Sequence, residues 1–436
     1  MSPEIIGLVA LAILFVAIFI GFPIAFTLVA ISLGVGQFAL GDVAIHLMTL
    51  QVFSVMRDPT LASVPFFLFM GYLLEESGLI QRLFRGVQLL LAGVNGSLYL
   101  AVIITATIFA AATGIVGSSV TLLGVMAAPA MMKSGYDVRM SAGAITAGGT
   151  LGILIPPSVM LIVMGPVVGV PATDLFAAAV FPGLLLSGLF IVYTLARSYW
   201  NPKLGPALPL SDRRPLPEVL RELAIGAVPV VLVIMATLGV ILAGIATPTD
   251  AGAVGAFATL LLTLGYRRMT WPGLRRAMMS TVEISCMILL LVAASNYFGS
   301  VFSRLGSADW IANLLLGFEF SPTVMLLLML ALIFVLGWPL EWVPIVLVVV
   351  PIFLPIVNKL GIDLVWFCTL VAVCLQTAWM SPPVALSAYF LKGVVPQWEL
   401  GDIYAGMMQF MVLQVIGLLL VLWFPAIALW LPAVLR

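Results

Sequence analysis

Two adjacent prolines in the middle of a strongly apolar run constrain this chain more than any other feature. The run is GGTLGILIPPSVMLI, residues 148–162, with Pro156 and Pro157 near its centre. A proline has no backbone N–H and its ring clashes with the preceding turn, so the pair breaks any helix that enters it. Inside a bilayer a broken helix is tolerated only where protein or a polar cavity takes up the freed backbone groups. The same arrangement then returns. Pro129, Lys133, Gly135, Asp137, Pro156 and Pro157 recur 226 residues later as Pro355, Lys359, Gly361, Asp363, Pro382 and Pro383. Either pair alone is as compatible with a structural kink as with a site. Two Pro-interrupted apolar segments at corresponding positions of two halves favour the binding site of a transporter.

Composition agrees with a membrane setting. The chain is 63% hydrophobic and only 8% charged, against roughly a quarter charged for soluble domains. Its mean hydropathy is +1.25, which marks a polytopic membrane protein. The longest polar stretch, residues 198–222, is a loop and leaves no room for a water-soluble catalytic domain. Zero net charge gives nucleic acid no purchase. Cys286, Cys368 and Cys374 lie in apolar runs without CxxC spacing and read as buried structural thiols. His46 is the single histidine, which excludes a His-based zinc site and disfavours a His proton relay. No His/Asp/Glu cluster or nucleophile–base pair falls within the spans, so a membrane enzyme is a poor reading. The opening MSPEIIG lacks a basic region ahead of its apolar run and is expected to begin a membrane span rather than a cleaved signal.

A span needs about 20 apolar residues. Residues 5–20, 24–40 and 61–74 supply candidates, and residues 80–94 form an amphipathic piece suited to the membrane surface. Residues 97–132 carry no charge and are interrupted by TGIVGSS at 113–119, so they are two spans or a re-entrant hairpin. Residues 322–358 are their counterpart, with GWPLEW at 337–342. Glu341 there would be costly in hydrocarbon, and a hairpin tip facing a polar cavity removes that cost. Charge sorts the alternatives. With hairpins in both halves, Arg82, Arg85, Lys133, Arg139, Arg197, Lys203, Arg213, Arg214, Arg221, Arg267, Arg268, Arg275, Arg276 and Lys392 share one side. Only Arg57, Arg304, Lys359 and Arg436 fall on the other. The first side is then cytoplasmic, and the halves are inverted. The expected organisation is a first repeat over 1–200 (hairpin 97–132, broken helix 140–164), a cytoplasmic linker over 201–222, and a second repeat over 223–436 (hairpin 322–358, broken helix 364–391).

The runs TGIVGSS, MMKSGYD, GTLGILIPPS, GIATPTDAG and TAWMSPPVALS resemble the large membrane subunit of tripartite ATP-independent periplasmic (TRAP) transporters over essentially the whole chain. The TGIVG and SPPV forms look most like the branch labelled mannitol/chloroaromatic-type. The resemblance implies an all-α, inverted-repeat, elevator-type secondary transporter of the bacterial inner membrane. It implies a sodium gradient as driving force, no covalent cofactor, and three partners besides lipid: a small four-span membrane subunit, a periplasmic solute-binding protein and a small carboxylate solute. It further implies a first sodium site at Thr113, Gly114, Ile115, Gly152, Leu154 and Pro157, and a second at Gly337, Ala378 and Ser381. This chain departs from the commoner pattern at Ile115, Ala378 and Ser381, so only backbone carbonyls could serve at the first two. For the solute, half-helix N-termini would attract a carboxylate, with the hydroxyls of Ser118, Thr150, Ser158 and Ser387 as candidate ligands. Ser118 and Ser119 are equally suited to close helix packing. Glu341 could cap the hairpin, face water or take part in coupling. Lys133–Asp137 and Lys359–Asp363 read as hinges rather than ligands. A stand-alone anion or ion transporter of related architecture is the alternative.

Overall fold

The computed structural model describes residues 2–208, 214–382 and 384–435, and among them the chain forms helices and turns with no strand. Arg213 and the rest of 209–213, Pro383 and Arg436 lie outside the described residues. Helices fill the apolar runs and stop at glycine or proline. Helix α1 (Pro3–Ile20) ends at Gly21, and α2 (Ile24–Leu40) starts after Pro23. Next come α3 (Val43–Arg57), α4 (Ser63–Ser77) and α5 (Leu79–Leu90), the last two meeting at a 62° bend. Helices α6 (Ser97–Thr113) and α7 (Val116–Lys133) are joined by Gly114 and Ile115 alone. Helix α8 (Val138–Thr150) passes into a 3-10 turn, Leu151–Ile153, then non-helical chain, then α9 (Val159–Val168). Helix α10 (Ala172–Trp200) closes the half.

The second half runs α11 (Leu216–Leu242), α12 (Pro248–Gly265), α13 (Trp271–Arg304) and α14 (Ser307–Leu316). Then follow α15 (Pro322–Gly337), α16 (Trp342–Lys359), α17 (Leu364–Leu375), α18 (Leu386–Val394), α19 (Leu400–Trp423) and α20 (Ala426–Leu435). Helices α7 and α16 begin 226 residues apart, as do α8 and α17, and the 3-10 turns at Leu151 and Thr377. Register is therefore shared over far more than the prolines.

The repeated Lys-x-Gly-x-Asp stretch is a turn followed by a cap. Gly135 and Gly361 take φ of +70° and +65°, where a side chain would be strained. Two residues on, Asp137 accepts from the Met140 N–H at 2.8 Å and Asp363 from the Trp366 N–H at 2.9 Å. Each satisfies an otherwise orphan donor of the helix it starts. These residues end one helix and aim the next.

The halves differ at one join. Asp58 and Pro59 separate α3 from α4, whereas the corresponding region of the second half is one 34-residue helix, α13. The apolar run over 278–298 predicts a span beginning near Met278. The helix begins at Trp271 instead, because Thr270 caps it through the Gly273 N–H at 3.2 Å and Pro272 suits its first turn. Cys286 also departs from expectation: it is exposed on α13, while Cys368 and Cys374 are buried.

Packing exchanges the halves. Helix α12 packs on α4, α11 on α5, α19 on α8 and α18 on α7, while α2 and α3 pack on α13 and α10 on α17. One apolar cluster runs through both halves. Among the described residues seven helices are long and apolar enough to cross a membrane, or up to eight if α4–α5 counts as one bent span.

Candidate functional site

The tip between α6 and α7 rests on the first helix break. Gly114 takes φ +64°, and a Cβ added there would lie 3.1 Å from the Pro157 carbonyl oxygen. A Cβ at Gly152 would meet the Ile115 nitrogen at 3.5 Å and the Gly114 carbonyl carbon at 3.7 Å. Thr113, Gly114, Ile115, Gly152 and Pro157 thus meet at one point, and Leu154 is buried beside them in the break. Helix ends leave their last carbonyls without intrahelical partners, so backbone oxygens are concentrated here. Thr113 adds a hydroxyl whose proton goes to the Phe109 carbonyl at 3.2 Å, leaving its oxygen free to accept.

The second break repeats the arrangement. Gly337 ends α15, and a Cβ there would meet the Ala378 Cβ at 3.1 Å. A cavity of about 10 Å³ lies between Gly337, Glu341, Ala378 and Trp379, room for about one water-sized sphere. Ser381, buried one turn on, donates to the Thr377 carbonyl at 2.7 Å and approaches Met411 Sδ at 3.3 Å. No group of three or more His, Cys, Asp or Glu that could hold a metal ion occurs among the described residues. Any cation at these breaks would rest on backbone and hydroxyl oxygen, which suits a hard monovalent ion better than a transition metal.

Between the two tips and the helices α4 and α13 lies a cavity of about 570 Å³. Val116 and Gly117 of α7, and Trp342 and Val343 of α16, line it. Neither helix has a side-chain cap at its N-terminus, so two positive dipole ends with free N–H groups converge on this space. Glu75, Glu76, Arg276 and Glu341 are the charged groups on its wall among the described residues. Glu76 pairs with Arg276 at 3.0 Å. Ser118, in the first turn of α7, donates to the Glu75 carboxylate on α4, tying the first tip to the opposite wall.

The four candidate solute hydroxyls separate in space. Ser118 is on the cavity wall. Ser158 is fully buried and donates to the Ile153 carbonyl at 2.5 Å, bracing the break. Thr150 is buried against α19, where it donates to the Ala147 carbonyl and accepts from Gln414 Nε2 at 3.1 Å. Gln414 also reaches Met380 Sδ at 3.3 Å, so one amide links the two broken segments. Ser387 is buried with no hydrogen-bond partner. Tyr72, Glu75, Arg276, Ser280 and Phe390 were not singled out from sequence, although all line the cavity. Glu75 and Glu76 close an apolar helix, and the cost of two carboxylates there was the available signal.

Comparison with known proteins places this geometry in context. Residues 11–427 match the family described as "Tripartite ATP-independent periplasmic transporter, DctM component". The C4-dicarboxylate TRAP transporter large permease protein DctM of Rhodobacter capsulatus is 29% identical, the match covering 93% of this chain and 94% of that protein. The sialic acid TRAP transporter large permease protein SiaM of Vibrio cholerae is 28% identical over 95% of this chain and 96% of its own length. Among solved structures, the YdaH transporter of Alcanivorax borkumensis shares the fold with a TM-score of 0.60 at 15% identity, covering 89% of this chain and 88% of that one.

Proposed function

The chain belongs to the DctM-component family of TRAP transporters, and from that premise we propose that it is the large permease subunit that carries a small organic acid inward with sodium. It is a multi-pass inner-membrane transport protein and not an enzyme. The observation that carries the finer reading is the seating of each hairpin tip on a helix break, at Gly114 against Pro157 and at Gly337 against Ala378. Such a junction gathers carbonyl oxygens for sodium, while the adjoining N-termini of α7 and α16 face the cavity and attract a carboxylate. Thr113, Gly114, Ile115, Gly152, Leu154 and Pro157 form the first cation site, and Gly337, Ala378 and Ser381 the second.

In this reading α6–α7 and α15–α16 are re-entrant hairpins in oppositely oriented repeats. They move with the broken helices α8–α9 and α17–α18 past a scaffold of α1–α4 and α11–α13. The solute arrives on a periplasmic binding protein, and a four-span membrane subunit steadies the scaffold in lipid. Labelling tests the orientation: a cysteine at Lys203 reacts only from the cytoplasm and one at Lys359 only from outside. Reaction of both from one side would remove the inverted repeat. Function is tested in proteoliposomes holding this chain, the small subunit and a loaded binding protein under an imposed sodium gradient. Uptake is expected only when all are present. Full uptake by the purified chain alone would favour a stand-alone transporter, and uptake indifferent to sodium would remove the coupling ion.

A further inference from the structure

The cavity wall carries information about the solute that the breaks do not. Most of its lining is apolar, and the side nearest the second break is aromatic: Trp342, Trp379 and Phe390, with Tyr72 on α4 opposite. The Trp379 and Phe390 rings stack at 6.4 Å with 30° between planes. The first tip adds Ile115, and the adjoining break adds Ile153. A hydroxylated acid buried here would leave polar groups facing hydrocarbon, and each buried polar group without a partner is costly.

Charge narrows the class further. Three carboxylates, Glu75, Glu76 and Glu341, face the cavity against one guanidinium, Arg276. Arg276 is already held by both oxygens of Glu76 at 3.1 Å. Two helix N-termini and a coupling cation can offset one anionic group. A second carboxylate on the solute would meet no further cation on this wall among the described residues and several like charges, and would have to be desolvated unpaired. At about 570 Å³ the space is also sufficient for a ring-bearing molecule.

We infer that the solute is a monocarboxylate with an apolar, aromatic body, its charge at the N-termini of α7 and α16 and its body against Trp379 and Phe390. This rests on the reading of the chain as a sodium-coupled carboxylate carrier and narrows it. It sets the chain apart from a carrier of dicarboxylates or of polyhydroxylated acids.

The test measures binding to the purified permease with its small subunit in lipid nanodiscs, with sodium, by titration calorimetry and melting. Working without the binding protein keeps that protein's own selectivity out of the result. The probes are 4-phenylbutanoate, succinate and gluconate. The expected result is saturable binding of 4-phenylbutanoate at least roughly tenfold tighter than either other acid. Phe390→Ala and Trp379→Ala should each weaken it by roughly tenfold, with Trp379→Phe close to the parent. Succinate or gluconate binding as tightly as the aromatic acid overturns the inference and leaves the carboxylate-carrier reading standing. Aromatic binding unchanged in both alanine variants also overturns it, because the site is then elsewhere. If no acid binds while the protein still melts cooperatively, the inference and the carrier reading fall together. Should the alanine variants fail to fold, the ranking of the three acids on the parent protein decides.

Discussion

The two hairpins share the capped turns that follow them and the helix breaks they rest on, but not the length of their tips or their surroundings. Helix α6 is buried along most of its length, enclosed by α4, α5, α8 and α10. Helix α15 packs chiefly on α17 and the 3-10 turn that follows it, with less against α16, and leaves Val324, Leu332 and Val335 exposed. At the first tip the scaffold presses directly on the backbone: a Cβ at Gly71 would lie 3.0 Å from Thr113 Cα. At the second tip Trp338 is 38% exposed. The first tip is clamped and the second has a free flank. Chemistry encoded within a short stretch is thus duplicated faithfully, while burial depends on neighbours supplied from elsewhere and is not.

The strongest way to break this comparison is at Gly71. Gly71→Leu drives a branched side chain into Thr113, whose backbone cannot rotate aside. Loss of uptake is expected together with a lower melting temperature, on the order of 3 kcal/mol or more. Leu332→Ala, on the exposed flank of α15, should change melting little. Equal losses in the two variants would show that the second hairpin is as enclosed as the first.

Backbone conformation gives the next effect. Gly114→Ala forces a side chain into left-handed backbone against the Pro157 carbonyl, at a cost of about 1–2 kcal/mol. Gly337→Ala keeps ordinary helical backbone and brings a methyl to 3.1 Å from the Ala378 Cβ, its other contacts lying at 3.7 Å or more, and should cost less than about 1 kcal/mol. Chemical denaturation of the two variants in one detergent settles the order.

Coupling is the subtler contrast. Ser381→Ala removes a candidate oxygen at the proposed second cation site, and a hard cation is held by its oxygen count. The sodium concentration for half-maximal uptake should rise by several-fold, on the order of one lost ligand, with solute binding to the periplasmic partner unchanged. Gly152→Val crowds the first site from across the break and should abolish transport in a protein that still folds. An unaltered sodium curve in Ser381→Ala would leave at most its backbone in the site. The smallest effects should be the most alike: Asp137→Ala and Asp363→Ala each lose one cap, worth about 1 kcal/mol. Unequal losses in that pair would mean that even the capped turns feel their surroundings.

What could be read from sequence follows the same division. The turns at Gly135 and Gly361, the caps after them and the breaks at the prolines depend on residues a few positions apart, and the repeat made them legible. Ser118 was within reach because it lies beside the tip. Thr150 stands within the first Pro-Pro motif, but its partner Gln414 is 264 residues away, and no local pattern marks that pairing. The cavity wall combines Tyr72 of α4, Arg276 of α13 and Phe390 of α18, three helices that only tertiary packing assembles. The polar Asp58-Pro59 and the unbroken apolar run through its counterpart at 284–285 are both legible in the sequence, whereas the turns of α13 before Met278 depend on the cap at Thr270 among charged residues.

The exchange of partners between halves bears on how the chain is made. Helices α4, α5 and α8 leave the ribosome long before α12, α11 and α19, on which they settle. At translation speeds of about 5–20 residues per second, the early helices wait roughly ten seconds or more in the bilayer with these faces uncovered. Either lipid or an insertion chaperone must shield them during that interval. Pulse-labelled nascent chains arrested before α11 should therefore be far more open to protease and crosslinker than chains arrested after α19. A gene cut within 201–222 should yield two fragments that are each unstable alone and recover only when produced together.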